Sequence, residues 1–191
     1  MTSSIDITPF VAITAFLWPA FYLYWFISAL GAKRNVQVRG GALLVRIAVL
    51  LVAIAAVAKF PGIRHDFNIP PENILLNSIG IVMLLAGLGL AVWARIYLGR
   101  NWGMPMTLKK DPELVTGGPY SIIRNPIYSG LLLALLGTAL VDGLFWLVVS
   151  VFAGIYFIYS SKVEEKIMAE QFPQTYPEYK KRTKALIPFI F

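Results

Sequence analysis

Long apolar stretches without a charged residue alternate with short polar connections along this chain. No Asp, Glu, Lys, Arg or His occurs at positions 7–32, 73–94, 125–141 or 143–161. Each stretch is long enough, or nearly long enough, for a helix to cross a bilayer. Because lipid offers no hydrogen-bond partners to bare backbone groups, we interpret these stretches as membrane-spanning helices.

The pattern predicts an all-α integral membrane protein with five transmembrane helices and a cytoplasmic C-terminal amphipathic helix. Residues 1–98 contain the first three spans, at about 9–31, 41–58 and 74–97. The last two spans form a helical hairpin over residues 126–161, with Asp142 and Gly143 as its turn. The small residues Gly80, Gly87 and Gly89 of the third span are candidates for close helix packing, within the chain or between chains.

The basic residues predict the orientation of these spans. The chain has 17 Lys and Arg against 10 Asp and Glu, and thirteen of the basic residues fall after the first span, after the third span and in the tail. The positive-inside rule places those segments in the cytoplasm, so we expect the N-terminus outside and the C-terminus cytoplasmic. The excess charge then suggests contact with membrane lipids, not with nucleic acid.

Composition removes several kinds of chemistry. The chain has no cysteine and a single histidine. Disulfides, thiolate metal sites and a cysteine nucleophile are therefore excluded, and we expect no metal site. The apolar share of 58% with only 14% charged residues also argues against a soluble domain.

Two polar segments on the predicted cytoplasmic face are candidates for chemistry. Asn125 and Pro126 are typical of the N-cap and first position of a helix, and such a helix start beside Arg124 suits a carboxylate or phosphate. Glu164 follows the hairpin at the membrane boundary, where a carboxylate needs solvation or a partner. Taken alone, both have a structural interpretation: Arg124 reaching lipid phosphate, and Glu164 on the solvated side of an amphipathic C-terminal helix.

Together these segments resemble the isoprenylcysteine carboxyl methyltransferase family of integral membrane enzymes and the related phospholipid methyltransferases. The resemblance is carried, in order and spacing over about residues 93–191, by residues 114–120, 124–130, 164–165, Phe172, Tyr176, 178–181 and 187–189. It implies methyl transfer dependent on S-adenosylmethionine to a lipophilic acceptor in the membrane. The cofactor is expected at the cytoplasmic ends of the last helices.

The same resemblance implies roles for individual positions. Residues 99–191 would form the cofactor-binding region, with residues 162–191 as a C-terminal lid. Cofactor contacts are expected at Thr107, Leu114, Val115, Tyr120, Asn125, Pro126, Ile127, Tyr128 and Glu164. Arg124 and Glu164 are the candidate catalytic residues, because they suit the methionine carboxylate and the amine or ribose of the cofactor.

Two positions depart from the family pattern and leave the acceptor open. The usual Arg-His-Pro is replaced by Arg124, Asn125 and Pro126, so an imidazole contact is lost. The prenylcysteine enzymes resemble one another in an arginine, four residues before the matching glutamate, that is thought to hold the substrate carboxylate. This chain has Ser160 there, so the resemblance does not establish whether the acceptor is a prenylcysteine.

Two alternatives come from other functional classes. Membrane sterol reductases look similar in the C-terminal half and use NADPH, but they usually have more spans. A non-enzymatic membrane scaffold would keep the hairpin and have no need of the glutamates.

Overall fold

The computed structural model describes residues 8–33, 35–38, 73–103 and 105–186. The described residues form α1 (Thr8–Ala29), β1 (Asn35–Val38), α2 (Ile74–Leu98), β2 (Thr107–Lys109), α3 (Pro126–Asp142), α4 (Leu144–Gln171) and α5 (Tyr176–Arg182). Short 3-10 turns cover Gly99–Asn101 and Gly118–Ser121. The predicted second span, at 41–58, lies outside the described residues.

Three of the described helices are long and apolar enough to cross a membrane, at Pro9–Ala29, Ile74–Asn101 and Leu144–Gln171. Large apolar side chains such as Phe16, Val82 and Ile155 are exposed on these helices, as expected for surfaces that face lipid. α3 is a shorter apolar helix of 17 residues, about 25 Å long at 1.5 Å per residue. The predicted helical membrane class is confirmed, and both the count of five spans and the cytoplasmic position of the C-terminal helix stay predictions.

Glycines allow α2 and α3 to pack closely. Gly80 and Gly87 of α2 lie against Gly137 and Gly130 of α3 in antiparallel order. A Cβ atom added at Gly87 would lie 2.4 Å from the backbone nitrogen of Ala134. Small residues permit this approach of two backbones, so a larger side chain at Gly87 would force the helices apart.

The predicted hairpin is present, and its second arm is longer than expected. α3 ends at Asp142, and Gly143 turns the chain with a φ of 101°, in the left-handed region that favours glycine. α4 then continues past position 161 to Gln171. Residues 162–171 contain no glycine or proline and consist mainly of good helix formers, so the helix continues where the apolar stretch stops.

Two backbone pairings tie distant segments together at the end of the helices where α2 stops and α3 begins. β1 pairs with β2 in antiparallel fashion, a short sheet that the sequence pattern did not predict. After α5, the chain returns to the start of α3, where the Arg124 N–H donates to Lys184 O at 2.8 Å and the Asn125 N–H donates to Ala185 O at 3.1 Å. The connection between α2 and α3 is therefore held from both sides.

Candidate functional site

A cavity of about 350 Å³ lies among these connections, and every described helix contributes to its walls. Nine of the ten predicted site residues line it: Thr107, Leu114, Val115, Tyr120, Arg124, Asn125, Ile127, Tyr128 and Glu164. The tenth, Pro126, is fully buried at the first position of α3 and is not among the lining residues. Residues far apart in the sequence thus meet around one space.

Glu164 presents an oriented carboxylate on the cavity wall. Its Oε1 atom accepts hydrogen bonds from the Tyr128 hydroxyl at 2.5 Å and from the Met106 backbone N–H at 3.1 Å. The Tyr128 ring stacks on Phe157 of α4, with ring centroids 4.6 Å apart and planes inclined by 9°. The donors come from α3 and from the connection, so two other segments orient this side chain of α4.

The Arg124 guanidinium makes several hydrogen bonds to other residues of the protein. Its Nη2 and Nε atoms donate to Glu165 Oε1 at 2.5 and 2.8 Å. Its Nη1 atom donates to the backbone carbonyls of Lys180, at 3.2 Å, and Thr183. Arg124 therefore joins the start of α3 to α4 and α5, and its contact with a cofactor carboxylate stays a prediction.

Asn125 occupies the predicted N-cap position of α3, but its side chain does not cap the helix. Its Nδ2 group instead donates to Ala185 O at 3.0 Å, and the side chain makes no capping hydrogen bond. The returning C-terminal segment supplies this carbonyl acceptor, which the local sequence does not reveal. Ile127 and Tyr128, in the first turn of α3, line the cavity.

Aromatic residues of α1 form a part of the wall that was missed from the sequence. Phe21, Tyr22 and Trp25 line the cavity, and Trp25 meets Trp102 edge to face with centroids 5.7 Å apart. The guanidinium of Arg95 lies 4.9 Å from the Trp102 ring centroid. The available signal was the spacing of Phe21 and Trp25, four positions apart on one helix face.

Buried phenols close the cavity on the side of the C-terminal segment. The Tyr179 hydroxyl donates to Tyr120 O at 2.8 Å. Burial raises the pKa of Tyr179 to about 12 and raises the pKa of Tyr120 still further above its ordinary value. Both side chains are therefore neutral near pH 7. Tyr176 and Met168 complete this wall, and with Tyr179 they belong to the predicted lid.

The polar residues Ser160 and Arg124 differ in whether they line the cavity. Ser160 is fully buried in α4, its hydroxyl has no hydrogen-bond partner among the described residues, and it is not among the lining residues. Arg124 is the only Lys or Arg among the described residues that line the cavity. Within the same described part of the chain, no group of three or more His, Cys, Asp or Glu residues is arranged to hold a metal ion.

Comparisons with known proteins identify similar sequences. Residues 76–175 match the family model described as phospholipid methyltransferase. The chain is 29% identical to protein-S-isoprenylcysteine O-methyltransferase B of Arabidopsis thaliana over 145 residues, covering 74% of this chain and 70% of that protein. It is 33% identical to the cobalt-zinc-cadmium resistance protein CzcN of Cupriavidus metallidurans over 143 residues, covering 73% of this chain and 61% of that protein.

A solved structure shares the fold. The eukaryotic intramembrane Ras methyltransferase, an isoprenylcysteine carboxyl methyltransferase, superposes with a TM-score of 0.56 at 24% identity. The match covers 81% of this chain and 55% of that one, so the chain spans little more than half of the solved protein. Together, these matches confirm the family resemblance drawn from the sequence.

Proposed function

The chain belongs to the phospholipid methyltransferase family, and we propose that it transfers a methyl group from S-adenosylmethionine to a lipophilic acceptor in the membrane. The observation that carries this proposal is the cavity, because nine residues expected at a cofactor site line one space. The family and the relatives favour methyl transfer over NADPH-dependent reduction or a scaffold role.

The walls of the cavity fit S-adenosylmethionine in size and chemistry. A volume of about 350 Å³ lies in the range of roughly 300–1,000 Å³ typical of small-molecule sites. Glu164 would hold the amine or a ribose hydroxyl, and the first turn of α3 suits the carboxylate. Aromatic faces such as those of Tyr128 and Trp102 suit a cation or an adenine ring.

The proposed mechanism needs little acid–base chemistry from the protein. S-adenosylmethionine, when bound, supplies a methyl group that is already activated on a sulfonium. The protein's own residues would align the acceptor and exclude water. Phe21, Trp25 and Leu131 form apolar walls that suit the lipophilic part of an acceptor, which we expect to enter between the helices.

The charges around the cavity bear on the acceptor. Arg124, the cationic side chain among the described lining residues, is already paired with Glu165. Ser160 is buried away from the lining. Neither feature favours an anionic prenylcysteine carboxylate, so the proposal specifies only a lipophilic acceptor.

A labelled-methyl assay tests this function. The purified protein in lipid vesicles is incubated with methyl-labelled S-adenosylmethionine and a host lipid extract, and the products are identified by mass spectrometry. We expect a labelled lipid from the wild type and roughly tenfold less from Glu164→Gln, which loses a charge-assisted contact. Glu170→Gln is the matched control, because Glu170 is exposed on the same helix and is not among the lining residues. An equal rate for Glu164→Gln and the wild type would contradict the role of this carboxylate.

A further inference from the structure

We infer that Lys33 is a positioning residue for the cavity, because it holds the wall that contains Asn101 and Glu113. Lys33 lies just after α1, outside the family-matched residues 76–175. The inference rests on the proposed function, since it extends the proposed cofactor site to a segment that the family match does not include.

The Lys33 ammonium meets three acceptors on the connection between α2 and α3. Its Nζ atom donates to Asn101 Oδ1, Asp111 O and Glu113 Oε1, each at 2.8 Å. An ammonium group has three N–H donors, enough to serve all three of these acceptors. The Lys33 backbone N–H also donates to Arg100 O at 2.8 Å. One residue thus binds the connection both where it leaves α2 and ten or more residues later.

The acceptors of Lys33 belong to the cavity wall. Asn101 and Glu113 both line the cavity, and Asn101 Nδ2 donates to Glu113 Oε2 at 3.2 Å. The hydrogen bond from Lys33, followed by that from Asn101, holds the pKa of Glu113 below its ordinary value. Lys33 therefore holds Asn101 and Glu113, the two ends of this wall segment, close to each other. It also favours the ionised form of Glu113.

Two backbone features accompany the contacts of Lys33: a positive φ at Asp111 and the pairing of β1 with β2. Asp111, whose carbonyl accepts from Lys33, has a φ of 49°, a left-handed conformation that is uncommon outside glycine. Beyond Lys33, β1 pairs with β2 so that Val38 lies opposite Thr107, another cavity residue. The segment after α1 therefore supports the wall at several points along its length.

The expected effect of Lys33 is on the shape of the wall more than on global stability. An exposed ion pair usually contributes little to folding, and the Glu113 side chain is 71% exposed. The Lys33 side chain is only 21% exposed, and its partners are more than sixty positions away in the sequence. Loss of the ammonium should release residues 99–115 locally and leave the helices in place.

Lys33→Met tests this role, because it removes the ammonium and keeps a long side chain. Lys110→Met is the control, since Lys110 is an exposed lysine of the same connection. Amide hydrogen exchange of residues 99–115 is measured without ligand, and S-adenosylhomocysteine affinity is measured by calorimetry. We expect faster exchange and about tenfold weaker binding in Lys33→Met, neither change in Lys110→Met, and partial recovery of both in Lys33→Arg.

The two readouts separate this inference from the proposed function. Unchanged exchange in Lys33→Met, or faster exchange with unchanged affinity, would overturn the positioning role. Absence of binding by the wild type would overturn the proposed function, and the exchange data alone would then show whether Lys33 holds the wall. If Lys33→Met fails to fold, the same two measurements on Lys33→Arg apply, with a small but measurable loss expected in each.

Discussion

One of the hydrogen bonds to the Glu164 carboxylate comes from Met106, a residue with an unusual backbone conformation. Met106 is buried and has a φ of 62°, in the left-handed region. For a residue other than glycine this conformation costs on the order of 1–3 kcal/mol and persists only where its surroundings enforce it. In this conformation, the Met106 N–H donates to Glu164 Oε1. The strained residue is therefore one that orients the carboxylate proposed to bind the cofactor.

Comparison of Met106→Gly with Met106→Ala isolates this backbone effect. Both variants lose the buried side chain, but only glycine adopts positive φ without cost. We therefore expect Met106→Gly to bind S-adenosylhomocysteine about threefold to tenfold more tightly than Met106→Ala, corresponding to about 1 kcal/mol. Equal affinities in calorimetric titrations, or tighter binding by the alanine variant, would show that the backbone conformation does not position Glu164.

At the level of the helices, the close glycine contact between α2 and α3 fixes the distance between two walls of the cavity. α2 leads into Trp102 and α3 begins beside Asn125, so the separation of the two helices determines the separation of these walls. Gly87 lies against α3, whereas Gly89, suggested from the sequence as an equivalent packing position, has no described atom within 4 Å of an added Cβ. The two glycines therefore form a matched pair for a test.

Gly87→Leu should separate α2 from α3, and Gly89→Leu should not. Overpacking of a close contact costs typically 1–3 kcal/mol. We expect a lower thermal unfolding midpoint and loss of S-adenosylhomocysteine binding for Gly87→Leu, and near wild-type values for Gly89→Leu. Thermal unfolding of both variants in the same detergent provides the measurement. A stable, ligand-binding Gly87→Leu would contradict the close packing.

The sequence predicted elements best where an apolar stretch and a chain breaker coincide. Pro126 and Gly143 mark the ends of α3 correctly for this reason. The end of α4 was placed too early, because its last turns depend on helix propensity outside the apolar stretch. The pairing of β1 with β2 was not predictable, since both strands are short and the contact joins segments about seventy positions apart.

In the candidate site, too, residues with a local sequence signal were predicted, and residues placed by distant contacts were not. The predicted residues between Leu114 and Tyr128, and Glu164, were identified through the family resemblance. All of them except Pro126 line one cavity. Lys33 and the aromatic residues of α1 were missed because they precede the matching stretch. Their importance arises from contacts across the fold, and no local pattern marks such contacts.

For the whole molecule, the cavity lies at one end of the described helices. The end of α1, the end of α2, the start of α3 and the last turns of α4 all contribute to it or adjoin it. The distribution of Lys and Arg predicts that this end faces the cytoplasm. If that orientation is correct, a water-soluble cofactor reaches the cavity from the cytoplasm.

Single cysteines test this orientation cleanly, because the natural chain contains none. Leu144→Cys lies beside the hairpin turn, and Lys181→Cys lies on α5, and both positions are exposed. In intact cells, a membrane-impermeant maleimide should label Leu144→Cys, whereas Lys181→Cys should react only after permeabilisation. The reverse pattern would invert the topology and place the cavity outside the cell.

Calorimetric titration of the purified protein with S-adenosylmethionine, S-adenosylhomocysteine and NADPH tests the proposed function most directly. We expect both adenosyl compounds to bind at one site per chain, and NADPH not to bind. Glu164→Gln should weaken their binding roughly tenfold, because a charge-assisted contact is lost. Failure of both adenosyl compounds to bind the folded wild type would contradict the proposed methyltransferase function, and binding of NADPH alone would point to the reductase alternative.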